Sequence, residues 1–404
     1  MSTSFFLEPR HQFDYSKTQS PKKPMAAPGN APISVVIEPA NGSGPIAPHA
    51  LLTAILRANS QVSDLIFSPG RVPQVEIHGQ LIAIQGAGIR ILTADDTRRI
   101  ASELIGENKQ AIGLLREQGF CDVSYGLPGV ARFRVNVFIQ RGSCAVVMRV
   151  IATAIPALSS LGLPPQLKRV AHLREGIVLV TGPRGSGKSC TLAALLDGIN
   201  QEQVCHIITI EDPIEFLHNH KRATVHQREL HSDTPSVALA LRAALRQAPN
   251  VILVGETRDR ETIEMVLEAA ESGHLVLTSM NTVSVAKTVE RIIGAFPQPE
   301  QNAIRSRLAR TFRYIVSQRL IPRKDGLGRI AIVEILNANS RTQGCVEVND
   351  FSADNLLQAM REGVSEGMQN FDSELEKLVR AQIVDLDTAI MYATDPHELR
   401  RNLV

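Results

Sequence analysis

At 404 residues, with 44% hydrophobic content, the chain is long enough for two folded domains of about 100–200 residues each plus a tail. Its 43 basic and 41 acidic side chains nearly cancel to +2, which excludes nucleic-acid binding driven by bulk charge. No apolar stretch approaches the ~18 residues of a membrane span, and the start, MSTSFFLEPRHQF, lacks a basic region followed by an apolar core; a soluble chain without direct membrane insertion is expected.

Residues 1–47 hold Pro9, Pro21, Pro24, Pro28, Pro32, Pro39 and Pro45 among Gly, Ser and Asn, a composition that predicts a disordered tail. Within it, Ile33 to Ile37 is apolar enough to add a strand to a neighbouring sheet. From residue 48 the pattern becomes regular, with a helix over Pro48 to Asn59 and strands over Asp64 to Ser68, Gln74 to His78 and Leu81 to Ile84. Helical periodicity follows over Ala94 to Leu104 and Gln110 to Gln118. Then Cys121 to Tyr125, Val130 to Gln140 and Ala145 to Ile151 alternate apolar and polar residues, the mark of half-buried antiparallel strands. Residues 48–153 thus read as one α+β domain.

A Pro-rich connection over 154–166, Ile155-Pro156 through Leu163-Pro164-Pro165, predicts a hinge to a second domain at 167–404. There, nearly all-apolar strands at Gly176 to Thr181, His206 to Ile210, Asn250 to Val254 and His274 to Ser279 alternate with helical segments. This is the pattern of a parallel sheet covered on both faces. From Ala353 onward the pattern is helical. Five cysteines, Cys121, Cys144, Cys190, Cys205 and Cys345, form no C-x-x-C pair, which argues against a structural zinc site and against a disulfide framework, and for a reducing cytosol.

The first strand of the second domain runs into Gly182, Pro183, Arg184, Gly185, Ser186, Gly187, Lys188 and Ser189, followed by Cys190 and the helical run from Thr191. This is a complete G-x-x-x-x-G-K-[ST] loop in its required strand and helix context. Glycines let successive amides curl inward as a nest for phosphates at the positive end of the following helix. Lys188 would reach the β- and γ-phosphates and Ser189 would take one Mg²⁺ position. ATP and Mg²⁺ are therefore the expected cofactors. The next two strands close on Glu211-Asp212-Pro213 and Gly255-Glu256-Thr257-Arg258-Asp259. Carboxylates at such strand ends face the ligand crevice, where Glu211 and Glu256 are candidates to position the attacking water and Asp212 and Glu256 to hold Mg²⁺ through water.

ITIEDPIEF resembles the aspartate box of the type II and type IV secretion and pilus ATPases, VILVGETRD their Walker B segment, and Glu271 to Thr282 their histidine box. Ala303-Ile-Arg-Ser-Arg-Leu308 resembles the A-I-R-x-x-L motif of the PilT-like pilus retraction ATPases, and Arg313 to Leu320 their VSQ-x-L continuation. Gly367 to Asp372, Asp395 to Arg400, Ser63 to Leu65 and Ala131 to Asn136 also have counterparts in that family. The resemblance covers about residues 50–404. It implies a PAS-like N-terminal domain, a RecA-like ATPase domain with a helical C-terminal part, and a homohexameric ring at the cytoplasmic face of the inner membrane. The implied partners are the pilus machinery and its inner-membrane platform protein.

A ring places each nucleotide at a subunit boundary, so a neighbour's arginine can complete the site. Arg132, Arg134, Arg228, Arg242 and Arg246 are candidates, and the resemblance favours Arg134 and Arg228. Alternation puts Arg132 and Arg134 on one strand face, and helical spacing puts Arg242 and Arg246 on one helix face. The resemblance also makes His274 a nucleotide or interface group. Asn281 stands where the family usually carries a second histidine, and Arg184 where it usually carries a small polar residue. An asparagine still hydrogen-bonds but does not protonate near neutral pH. Finally, Ile304, Leu308, Phe312, Ile315 and Val316 at helical spacing, with Arg305, Arg307, Arg310, Arg313 and Arg319 around them, predict a helix with one buried face and one basic face, solvated by default or, under the resemblance to retraction motors, set against the acidic cytoplasmic side of a membrane platform protein.

Overall fold

The computed structural model describes residues 33–35, 47–77, 79–151, 154–326, 328–348 and 353–403. His78 and all of the expected tail except 33–35 and 47 lie outside the described residues. The first sheet holds β1 (Ile33–Ser34), β2 (Asp64–Phe67), β3 (Gln74–Ile77), β4 (Gln80–Gln85), β5 (Phe120–Leu127), β6 (Ala131–Gln140) and β7 (Ser143–Ile151), in the spatial order β1-β4-β3-β2-β7-β6-β5. Residues of the expected tail do add a strand, with Ile33 pairing in parallel with Ile84. On β6, Phe133, Val135 and Val137 are fully buried while the alternate Arg134 is exposed, the period-two pattern that the sequence announces. Helices α1 (Pro48–Ala58), α2 (Ala94–Ile105) and α3 (Lys109–Gln118) complete this half. Thr93 and Asp96 form a reciprocal capping box at the start of α2.

The second sheet collects β8 (Gly176–Thr181), β9 (His206–Glu211), β10 (Thr224–Glu229), β11 (Val251–Val254), β12 (Leu275–Met280), β13 (Phe312–Pro322) and β14 (Arg329–Asn337), in the order β10-β9-β11-β12-β8-β13-β14. All neighbours are parallel except β13 and β14. Because a strand turns successive side chains to opposite faces, the apolar β8 feeds two cores. Ile177 and Leu179 pack with α5 (Val237–Ala244), α6 (Arg260–Glu271), α7 (Val285–Gly294) and α8 (Gln301–Thr311). Val178 and Val180 pack with α4 (Lys188–Glu202) and the 3₁₀ turn Pro165–His172. Helices α9 (Ser340–Glu347), α10 (Ala353–Glu362), α11 (Phe371–Arg380), α12 (Leu386–Tyr392) and α13 (Pro396–Leu403) follow. Phe371, Leu375, Leu378 and Leu399 from the last of them close a small core over Ile321 and Ile332.

Two sequence expectations are corrected here. The segment from Ala303 is not helical to Val316: α8 ends at Thr311 and the next residue begins β13. Phe312, Ile315 and Val316 match a helical stripe only by coincidence of spacing. The run Phe-Arg-Tyr-Ile-Val is β-branched and aromatic, and it is buried between β8 and β14. The basic residues accordingly do not share one face. Arg307 grips Glu271 of α6 at 2.7 Å, Arg313 pairs with Glu175 at 2.9 Å, and Arg319 lies over the Phe371 ring at 3.9 Å. Second, α5 ends at Ala244, so Arg246 lies in the following turn and shares no helix face with Arg242.

Candidate active site

Six parallel strands end at one edge of the second sheet, and that shared polarity assembles the site. Register places Ser317 beside Thr181, Thr181 beside Met280, Thr278 beside Val254, and Val254 beside Ile210. The phosphate loop, Asn281, Glu256 and Glu211 therefore follow one another along the carboxyl edge, where ligands of such sheets bind. A Cβ on Gly255 would lie 3.4 Å from the Glu211 Cα, an ordinary contact, so the ends of β9 and β11 lie side by side without depending on the glycine.

Gly182, Gly185 and Gly187 hold φ of 152°, 78° and 88°, which side chains resist. Gly187 is the N-cap of α4 and brings no side-chain cap. The N–H groups of the first turn, on Lys188, Ser189 and Cys190, thus have no partner within the helix. Those donors, at the positive end of a 15-residue helix, suit a polyphosphate. Lys188 Nζ donates to the carbonyls of Gly182 and Pro183 at 2.9 and 3.0 Å. Burial pulls its pKa down, against the opposing pull of Glu256 and Glu215. Pro183 and Arg184 are exposed on the outer turn.

Glu211 accepts from Thr209 Oγ1 at 2.6 Å and from Gln227 Nε2 at 3.1 Å. Burial pushes its carboxyl up, while these bonds and the Glu215 amide draw it back. Glu256 is gripped by Arg258 at 2.7 Å and receives Asn281 Nδ2 at 2.5 Å. Asn281 therefore does not lie idle where the histidine is missing; it holds one oxygen of the candidate catalytic carboxylate. Asp212 follows Glu211 directly in the strand-end loop.

Other residues are distributed differently. His274 precedes β12 at the opposite edge, about 20 Å of strand from the loop. Its Nδ1 meets Ala269 O at 3.0 Å and Ser272 Oγ at 3.1 Å. Of the two roles expected for His274, nucleotide or interface group, its position at the far end of β12 from the loop of its own chain suits the interface. Arg228, at the end of β10, donates to Asp233 O at 3.1 Å and leaves one guanidinium nitrogen buried without a partner. Arg134 is half-exposed at 4.0 Å from Asp122. Arg132 and Arg134 diverge in role: Arg132 crosses to the second sheet and pairs with buried Glu229 at 2.9 Å. Ser124 also donates to that carboxylate, and the Ile214 amide reaches it at 3.2 Å.

Sequence reasoning missed Gln227 and Glu229, because β10, THR-VAL-HIS-GLN-ARG-GLU in composition, is too polar to read as a strand inside a sheet. Its alternation, with Val225 and Glu229 buried, was the available signal.

With this geometry in place, comparison with known proteins is decisive. Residues 126–402 match the family described as Type II/IV secretion system protein. This chain belongs to that family. It is 40% identical over 317 residues to a twitching motility protein of Neisseria gonorrhoeae, covering 78% of this chain and 83% of that one. It is 39% identical over 332 residues to the type IV pilus retraction ATPase PilT of Pseudomonas aeruginosa, covering 82% and 94%. A crystal structure of the pilus retraction motor PilT with bound ADP superposes with a TM-score of 0.77 at 39% identity, over 87% of this chain and 99% of that one. The secretion ATPase fold expected from the motifs, a RecA-like domain after an N-terminal α+β domain, is the fold observed. The chain is a PilT-like ATPase and so a nucleotide-binding hydrolase. No helix among the described residues is long and apolar enough to cross a membrane.

Proposed function

We propose that this chain is the motor of type IV pilus retraction: a homohexamer at the cytoplasmic face of the inner membrane that couples ATP hydrolysis to removal of pilin subunits. It would act on an inner-membrane platform protein of the pilus machinery. The observation that carries this reading is the convergence of Lys188, Glu256, Asn281 and Glu211 on one sheet edge, in a chain whose likeness to retraction ATPases runs nearly end to end. The division at 154–166 between a PAS-like unit, 48–153, and the ATPase unit, 167–404, belongs to the same proposal.

Bound ATP with Mg²⁺ supplies the scissile phosphoanhydride and a cation that neutralises charge developing on it. The first-turn amides of α4 and Lys188 hold the phosphates. Ser189 would ligate Mg²⁺ directly, with Asp212 and Glu256 as its water-mediated acids. Glu256, oriented by Asn281 and Arg258, holds the attacking water, and Glu211 supports that water from the adjacent strand. Arg134 and Arg228 are assigned to the subunit boundary, where an arginine is worth about 10³–10⁵ in rate in other NTPases.

Purified wild-type protein should hydrolyse ATP, and Lys188→Ala and Glu256→Gln should each lose at least about 10²-fold. A deletion strain should accumulate pili that do not move the cell. Absence of surface pili would instead mean extension and would overturn the assigned direction.

A further inference from the structure

We propose that Gln318 is the positioning residue of the phosphate loop, a buried amide on the neighbouring strand that sets the direction of the loop's backbone donors. The inference rests on the reading of Gly182 to Ser189 as the nucleotide site. Gln318 lies one residue beyond the Ser317–Thr181 pair of β13 and β8, level with the point where β8 becomes the loop. It is only 3% exposed. Its Nε2 donates to Ser186 O at 2.7 Å, and its Oε1 accepts from Thr191 Oγ1 at 2.7 Å. One planar amide thereby ties the crest of the loop to the first turns of α4.

Packing alone does not account for an amide here. Its neighbours on the same face of β13, Val316 and Leu320, are apolar, and an amide buried without partners costs roughly 2 kcal/mol or more relative to water. A leucine or methionine would fill the space without that cost. What Gln318 adds is directional. In a trans peptide the carbonyl and the following N–H point opposite ways in one plane. Drawing Ser186 O toward β13 therefore turns the Gly187 N–H away from β13, to the outer side of the loop. The glycines conform to the same residue. A Cβ at Gly182 would lie 2.3 Å from Gln318 O, and one at Gly187 2.8 Å from Gln318 Nε2. The first and third glycines of the loop are thus required as much by the closeness of Gln318 as by the phosphates.

The test uses full-length protein and a fluorescent ADP analogue, with steady-state ATP hydrolysis alongside. Gln318→Met should weaken ADP binding by ~10-fold, equivalent to about 1.4 kcal/mol. It should raise the KM for ATP by a similar factor, with kcat changed much less, because donors to bound phosphates serve ground and transition states alike. Thr191→Val, which keeps the shape of the helix, should weaken binding by ~3-fold. The double variant should be no worse than Gln318→Met, since the two act through one amide. A role in folding alone would lower the melting temperature and leave the dissociation constant of the folded protein unchanged. Gln318→Met binding ADP within twofold of wild type overturns the inference. Should Gln318→Met not fold, Thr191→Val decides, and unchanged ADP affinity there overturns it equally. Wild-type protein that binds no ADP would overturn the loop reading and this inference together, whereas normal wild-type binding with an unaffected Gln318→Met overturns this inference only.

Discussion

Glu334→Gln should make the protein more stable above neutral pH, and the gain should vanish in acid. Glu334 sits on β14 opposite Ser317, 3% exposed. Its Oε2 accepts from the Val285 amide at 3.0 Å, at the start of α7. Burial pushes its carboxyl up from 4.5 to about 7; the Val285 amide and Arg319 draw it down, and Asp372 works against them. A carboxyl raised on folding is stabilising below its unfolded value, and that contribution is lost as pH climbs through the folded value. The window is therefore pH 4.5 to 7. At about 1.4 kcal/mol per tenfold change in proton affinity, ionised Glu334 weakens the fold by about 3 kcal/mol at pH 8, but by only about 1 kcal/mol at pH 5. Glutamine is nearly isosteric, keeps an acceptor for Val285, and carries no charge to desolvate. Urea denaturation of both proteins at pH 5 and pH 8, followed by far-ultraviolet circular dichroism, should show the advantage of the variant growing by about 2 kcal/mol between them. A difference that is the same at both values, or that favours wild type at pH 8, would refute the reasoning.

Two further outcomes follow from individual bonds. Asn281→Ala removes the 2.5 Å bond to Glu256, and kcat should fall ~10-fold while ADP affinity holds, since the bond orients the proposed catalytic carboxylate rather than the nucleotide; an unchanged kcat would show that Arg258 alone suffices. Glu229→Gln weakens the acceptor shared by Arg132, Ser124 and the Ile214 amide, at a cost of about 1–3 kcal/mol for a mostly buried pair. Thermolysin should then cut the connection over 154–164 faster, and an unaltered cleavage rate would mean that this contact does not hold the two halves together.

Most of the fold was legible because its strands obey simple periods. The alternating β5 to β7 and the nearly all-apolar β8, β9, β11 and β12 were found within a residue or two, since a half-buried sheet and a doubly covered sheet leave different and recognisable patterns. β10, β13 and β14 were not found as strands, the first two for opposite reasons. β10 is a sheet-edge strand whose polar side chains are spent on site contacts, Gln227 to Glu211 and Glu229 to Arg132. β13 begins directly after α8, and its first apolar residues fall where the helix would have continued. Local motifs pointed to Lys188, Glu211 and Glu256, which the fold brings to one sheet edge, because a loop and a strand end are contiguous in sequence. The partners of those groups were not legible, since Asn281 lies 25 residues from Glu256 and Gln318 lies 132 from Ser186.

The direct passage from α8 into β13 has a mechanical consequence. The segment Ala303 to Leu308 that resembles retraction ATPases is packed on the sheet through Ile304 and Leu308 and tied to α6 through Arg307 and Glu271. With no intervening loop, any displacement of α8 is carried into a strand that is hydrogen-bonded on both sides. A few residues further on, that strand turns Gln318 to the phosphate loop and Arg319 to the other face. Arg319 donates to Val283 O at 3.1 Å, just beyond Asn281, and to Tyr392 O at 2.6 Å in the C-terminal helices. The guanidinium is only weakly hydrated there: burial lowers its pKa, against the pull of Glu334 and Asp372. Adjacent residues of one strand thus contact the phosphate loop, the segment that orients Glu256, and the C-terminal helices. β13 thus joins the phosphate loop, through the hydrogen bonds of Gln318, to α8, through the continuous chain.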